Sequence, residues 1–356
     1  MYFYRSLSQN VTMQYIKFLF SLILGIILFN SCSNELDVNA DWKDITVVYG
    51  ILDQNDSVHY LKITKAFLGP GDALSFAKIS DSSNYPEKLD VRIEGWEKSS
   101  EYDSILKQTV YFDTITINNK EEGDSIFYYP SQLVYKSIGQ EKLNSTYVYK
   151  LFIKDNRTGK EITSQTQLVQ KINTITKPQP APARASFVPG TKLQAIWTAA
   201  KGGKRYQLVG RFYYLETKKT PPNEQSLKFV DWVIFNDLKT EKTDGGNQMD
   251  YSYSADVFYN VLGNHIPVDA TVNRTAYQME YIFTVAADDL NTYMEVTEPS
   301  YTIVQEKPPF TNIFNGIGIF SSRHDNTLDY PIIQTAFSQQ TLDELKVNPN
   351  TYLLGF

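Results

Sequence analysis

Short stretches that alternate apolar and polar residues, each closed by turn residues, constrain this chain's fold most. Leu89-Asp90-Val91-Arg92-Ile93-Glu94-Gly95-Trp96 sets Leu89, Val91 and Ile93 on one face, the period of a half-buried strand. Thr46 to Leu52 and Val58 to Thr64 flank the Asx-rich turn Asp53-Gln54-Asn55-Asp56-Ser57, which reads as a hairpin. Tyr147 to Ile153 and Glu161 to Val169 flank Asn156-Arg157-Thr158-Gly159 in the same way. The expected class is all-β.

Lys177-Pro178-Gln179-Pro180-Ala181-Pro182 has prolines at alternate positions, which favours an extended linker without ladder donors. Beyond it come Lys192 to Trp197, the turn Gly202-Gly203, and Tyr206-Gln207-Leu208-Val209-Gly210-Arg211-Phe212-Tyr213. A strand ending in Trp, a glycine turn and a Tyr-x-Leu-x-Gly-x-Phe strand resemble the B–C region of fibronectin type III-like sandwiches. There an indole lies between two sheets. Two short helices are expected. One runs Ala255 to Leu262, capped by Ser254 and stopped at Gly263, with Val257, Phe258, Val261 and Leu262 on one face. The other opens on the capping box Thr341-Leu342-Asp343-Glu344 and ends at Pro349. Residues 219–250 fit either a strand or an amphipathic insertion at Phe229 to Leu238.

The only cysteine, Cys32, follows Lys17 and the apolar run Phe18 to Phe29. A charged segment followed by a short apolar one is an export signal, and the run falls short of the ~20 apolar residues a membrane span takes. Met13 is an alternative start. Ser31-Cys32 resembles the lipobox of bacterial lipoproteins, in which the thiol takes up a diacylglyceryl group and the cysteine becomes the new N-terminus. Residues 1–31 are then a signal peptide and 32–43 a tether, followed by an N-terminal β-sandwich at 44–176. The linker follows at 177–186, a fibronectin III-like domain at 187–305, and a C-terminal extension with a short helix at 306–356, packing back on the domains. Overall, two β-sandwich domains of immunoglobulin-like or fibronectin III-like form are expected. No disulfide or thiolate metal site is available to a single cysteine. Stability must come from burial, which 25 Tyr and 20 Phe can supply.

Removing residues 1–31 leaves 32 basic and 40 acidic side chains, a net charge of −8. That balance argues against a nucleic-acid partner, which needs a basic patch. The three histidines, His59 in a strand, His265 after a helix stop and His324 in a loop, show no metal-ligand spacing. Gly-x-Ser-x-Gly and phosphate-binding glycine loops are absent. Glu121-Glu122 and Asp288-Asp289 read as solvated turn residues. Asp53-x-Asn55-Asp56 and Asp325-Asn326-x-x-Asp329 carry oxygens that suit calcium, yet neither fits an EF-hand loop. No catalytic residue, metal or cofactor is expected, and the chain reads as non-enzymatic.

Two patterns remain. Tyr128, Tyr213, Tyr251 and Tyr253 are candidates for stacking on sugars or peptides. Ser57, Ser104, Thr114 and Ser125 each follow an Asp and precede an aliphatic residue, which resembles the O-glycosylation acceptor of exported Bacteroidota proteins.

Thr311-Asn312-Ile313-Phe314-Asn315-Gly316-Ile317-Gly318-Ile319-Phe320-Ser321-Ser322, Val48-Tyr49-Gly50 and Lys65-Ala66-Phe67-Leu68-Gly69 resemble, with the lipobox, an uncharacterised family of Bacteroidota cell-envelope lipoproteins. The resemblance implies an outer-membrane location, on the cell surface or the periplasmic face, held by the N-terminal lipid. It carries over no catalytic residue. The expected role is a binding or accessory module of an outer-membrane assembly, such as a TonB-dependent transporter, with another envelope protein as partner. The alternatives are a surface protein that binds glycan or peptide and, third, a carboxylate-based hydrolase.

Overall fold

The computed structural model describes residues 45–66, 83–100, 103–118, 131–179, 183–298, 309–330 and 336–356. These all belong to one compact unit. Its strands run in chain order as β1 (Ile45–Leu52), β2 (Tyr60–Ala66), β3 (Asp90–Lys98), β4 (Ser104–Ile117), β5 (Gln132–Ser137), β6 (Val148–Lys154) and β7 (Glu161–Gln167). There follow β8 (Ile175–Lys177), β9 (Lys192–Thr198), β10 (Arg205–Lys218), β11 (Gln225–Lys239) and β12 (Gln248–Ser254). Helix α1 (Asp256–His265), β13 (Val272–Ala286), helix α2 (Asp288–Thr297), β14 (Gly316–Tyr330) and helix α3 (Gln339–Val347) complete the order.

The all-β expectation holds, with three short helices among the described residues. Two separate sandwiches are not clearly drawn. Eleven strands join in one mixed sheet, β11-β10-β13-β14-β1-β2-β5-β4-β3-β6-β7, beside a small sheet β12-β9-β8. The strand that fuses them is β14. Its first half, Gly316 to Ser322, runs parallel to β1, while Arg323 to Tyr330 pairs antiparallel with β13.

From β14 to β7 the large sheet turns back on itself. Thr163 in β7 bridges Phe314, two residues before β14 begins, through backbone bonds of 2.8 and 3.3 Å. The curled sheet encloses one apolar cluster, with Val48, Leu61, Ile93, Phe112, Tyr149, Leu151 and Phe320 inside. Period two explains this: in β1 Thr46, Val48, Gly50 and Leu52 point inward and the residues between them outward. Gly318 lets β14 close against β1. Its φ is +113°, and a Cβ there would run into the Val48 carbonyl.

The second cluster lies between β12-β9-β8 and the strands β11, β10 and β13. Trp197 of β9 is 1% exposed, with ring centroids 5.3–5.8 Å from Phe283, Phe235 and Tyr206 of the opposing sheet. Helix α1 adds Phe258, Tyr259 and Leu262, with Phe258 stacked 4.1 Å from Phe187.

Several local expectations are corrected. Helix α1 passes through Gly263 to His265, because a Cβ at 263 would meet the Asn350 carbonyl; the glycine serves a close approach, not a stop. Val257 is exposed rather than on the buried face. Helix α3 opens three residues early, with Ser338 Oγ accepting from Thr341 N; Thr341 is itself buried, its Oγ1 accepting from Phe187 N at 2.8 Å. Helix α2 takes Asp288-Asp289 into its first turn, where carboxylates complement the helix dipole. Phe229 to Leu238 is a strand, within β11.

Candidate functional site

β10 alternates from Tyr206 to Leu215. Tyr206, Leu208, Phe212 and Tyr214 are buried in the core, and Val209, Arg211, Tyr213 and Leu215 face outward, half-buried. Its long pairings with β11 and β13 align these in rows: Leu227–Leu215–Thr275, Phe229–Tyr213–Gln278, Asp231–Arg211–Glu280 and Val233–Val209–Ile282. Leu227, Phe229 and Val233 are 54%, 53% and 53% exposed, so β11 is apolar on both faces, with Val230, Trp232 and Ile234 buried on the other. β11 ends the sheet order, and its outer edge has no strand neighbour among the described residues.

A charged row crosses this apolar surface. Arg211 grips Asp231 in bidentate fashion, Nε to Oδ1 at 2.6 Å and Nη2 to Oδ2 at 2.9 Å. The guanidinium lies 4.5 Å over the Phe229 ring, a cation–π contact. Tyr213 donates to Glu280 Oε2 at 3.0 Å and sets its ring 5.9 Å from Phe229. Partial burial pushes the Tyr213 phenol up, as does Glu280, against the opposing pull of Arg211. These side chains are held by one another before any partner arrives, which lowers the ordering cost of binding.

At the far end of the same sheet, under helix α2, the surface opens into a cleft of about 170 Å³. Leu290 and Met294 of α2 and Ala286 of β13 form its apolar walls, with Arg205 of β10 and Arg323 of β14 lining it as well. Arg205 is buried; its Nη2 meets Glu298 Oε1 at 2.8 Å, and its Nε lies 3.2 Å from Asp237 Oδ1. Its Nη1 is buried with no partner among the described residues.

Of the tyrosine candidates, Tyr213 alone is placed on this face. Tyr251 packs 4.9 Å from Phe235, and Tyr253 packs 5.4 Å from Trp232, with burial raising its phenol to about 12. Tyr253 also lines a cleft of about 350 Å³ with Tyr281, Lys177 and Lys192. Tyr128, Ser125, Glu121, Glu122 and Cys32 lie outside the described residues. Ser57 is half-buried in the β1–β2 turn, Ser104 is exposed at the start of β4, and Thr114 is half-buried within it.

The two calcium candidates are brought together, though not as a metal site. His324 lies in strand β14, not a loop, and its Nδ1 is 2.9 Å from Asp53 Oδ1 with both residues buried. Asp53 also accepts from the backbone N–H of Asn55 at 2.8 Å and of Asp325 at 3.2 Å. Asn326 Oδ1 accepts from Ile172 N, and Ser322 Oγ accepts from Val169 N while donating to Gln167 O. These oxygens therefore tie β14 to the turn after β1 and to the segment after β7. Among the described residues no group of three or more His, Cys, Asp or Glu has the arrangement of a metal site. His265 ends α1 with Nδ1 2.8 Å from Val261 O, and His59 sits one residue before β2, its Nε2 3.0 Å from Glu141 O.

Sequence reasoning misses Arg211, Phe229, Val233, Arg205 and Arg323. A legible signal for Phe229 and Val233 is that residues 227–235 are apolar at both parities, more than a one-sided strand requires. No helix among the described residues is long and apolar enough to cross a membrane. No family model matches the chain, and no curated protein matches it significantly.

Proposed function

We propose that this chain is a lipid-anchored cell-envelope protein, non-enzymatic, that binds a partner protein of an outer-membrane assembly through the outward face of β10, β11 and β13. The reading keeps the resemblance to Bacteroidota lipoproteins and the anchor at Cys32. It also keeps a fibronectin III-like form for the second half, supported by Trp197 lying between β9 and the strands that follow. A TonB-dependent transporter is one assembly of the kind.

The observation that carries the proposal is the pairing of exposed Leu227, Phe229 and Val233 with the fixed Arg211–Asp231 pair. Exposed aromatic and aliphatic side chains beside an anchored arginine have the composition of interface hot spots. The β11 edge, which has no strand neighbour among the described residues, adds backbone donors and acceptors. A protein suits the face better than a sugar, because Arg211 already covers one side of Phe229.

A photo-crosslinking residue at Phe229, irradiated in intact envelopes, is expected to give one discrete adduct band. The same residue at exposed Lys346 on α3 should give none. Matching patterns at both positions, or no adduct at Phe229, would sink the proposal.

A further inference from the structure

We infer that the cleft at the start of β9 binds a phosphate monoester, held by Arg184, Lys192 and Lys177 over the Tyr253 hydroxyl. This site is separate from the partner face: Tyr281, which also lines the cleft, belongs to the buried core on the inner side of β13.

The fold brings these groups together from four places. Lys177 closes β8, Arg184 stands in the segment before β9, Lys192 opens β9, and Tyr253 lies near the end of β12, opposite Leu193. All of them line one cleft of about 350 Å³. The chain carries a net charge of −6, yet three cations and no carboxylate line this cleft. Arg184 and Lys192 are exposed, and their side chains make no hydrogen bond or ion pair among the described residues. Lys177 gives one of its three donors to Gln194 Oε1 at 2.9 Å, a neutral partner. Asp256, just past β12, accepts from Gly190 N at 3.0 and 3.1 Å and from Ser254 Oγ at 2.9 Å. Its carboxylate is therefore turned to neutral donors. A cleft lined by one sign of charge focuses its field on an incoming anion.

The number and kind of donors select phosphate. Three cations suit a dianion, and a phosphate monoester carries about −1.5 to −2 at neutral pH on three strong acceptor oxygens. Arginine and lysine both bind such oxygens with charge-assisted bonds. Tyr281 hydrogen-bonds to Tyr253, yet burial outweighs that bond and pushes the Tyr253 phenol up to about 12. Tyr253 thus stays protonated at neutral pH, with its own O–H left to donate to a ligand. Pro178, Ala185 and Leu193 offer hydrocarbon to the body that carries the phosphate. The volume holds roughly a dozen non-hydrogen atoms at ~30 Å³ each, enough for a phosphate and much of one sugar ring.

The test is calorimetric titration of the mature full chain, in buffer without phosphate, with glucose 6-phosphate, glucuronate and glucose. Glucose 6-phosphate is expected to bind below about 1 mM, and the other two at least about tenfold more weakly. The double variant Arg184→Gln, Lys192→Gln should lose at least about tenfold in affinity, Tyr253→Phe about threefold, and Lys98→Gln nothing. Both cations are exposed and unpaired, so circular dichroism of the double variant should match that of the wild type. Flotation with vesicles of phosphatidic acid, but not of phosphatidylglycerol, abolished in the double variant, assigns the phosphate to a lipid headgroup. Binding of glucose 6-phosphate without flotation assigns it to a soluble sugar phosphate. Equal affinity for glucuronate, indifference to the double variant, or failure of both glucose 6-phosphate and phosphatidic acid would overturn the inference.

Discussion

Trp197 buries a large ring and, with it, an Nε1–H that finds no acceptor among the described residues. The two effects separate by substitution. Trp197→Ala empties the space between Tyr206, Phe235 and Phe283 and is expected to lower stability by about 3–5 kcal/mol. Trp197→Phe keeps an aromatic body and removes the orphan donor, so its loss should be clearly smaller in denaturant titration. Asp53 offers a second test, this time through pH. Burial pushes its carboxyl up, but the hydrogen bonds from His324, Asn55 and Asp325 outweigh burial and hold it below the ordinary value. A carboxyl depressed in the folded state stabilises above its unfolded pKa, near ~3.9, and that stability drains away as pH falls through the folded value. Wild-type stability should therefore drop with acid below about pH 4 more steeply than that of Asp53→Asn. Urea titrations from neutrality downward would show parallel curves if Asp53 were spent elsewhere.

Strand β14 poses the question at the scale of an element, because two different demands meet along it. Gly318 combines a φ of +113° with a close approach to the Val48 carbonyl. Gly139 has φ +91° and open space where its Cβ would stand. Gly139→Ala should cost only the conformational penalty, about 1–2 kcal/mol. Gly318→Ala adds a steric clash and should exceed that by at least about 1 kcal/mol in equilibrium unfolding. Equal costs would show that β14 can draw away from β1 freely. The second half of β14 marks where legibility in the sequence stopped. The hairpins β1–β2 and β6–β7 and the Trp197 strand stand out because hydrophobic alternation and turn residues agree. Ser321-Ser322-Arg323-His324-Asp325-Asn326 instead reads as a loop, since its inward residues are polar. Ser322, His324 and Asn326 are buried all the same, each holding a backbone or carboxylate partner from far along the chain, although Asn326 Nδ2 itself finds no acceptor among the described residues. Propensity contains no record of such partners. The outward face was hidden for a related reason: Phe229 and Val233 gain their meaning from Arg211 and Val209 across the ladder.

For the molecule as a whole, the continuous β14 makes the two apolar clusters mechanically dependent. One half of the strand completes the curled sheet, and the other flanks β13 beside the Trp197 core. Between them Ser322 ties the strand to the backbone at Gln167 and Val169, where the chain leaves β7. A buried hydroxyl bonded in both directions is worth more than its mean hydrogen-bond energy suggests, since its loss leaves the buried Val169 N–H unpaired. Ser322→Ala should therefore cost about 1–3 kcal/mol. It should also speed amide exchange at Ile45–Leu52 and at Met279–Ala286 together, because both segments borrow their order from β14. Exchange that rose in one segment and stayed fixed in the other would mean two independently folding halves. With joint exchange, a partner seated on β11 would be linked through β13 and β14 to the curled sheet. Binding on one face would then stabilise the entire described unit through the free energy of complex formation.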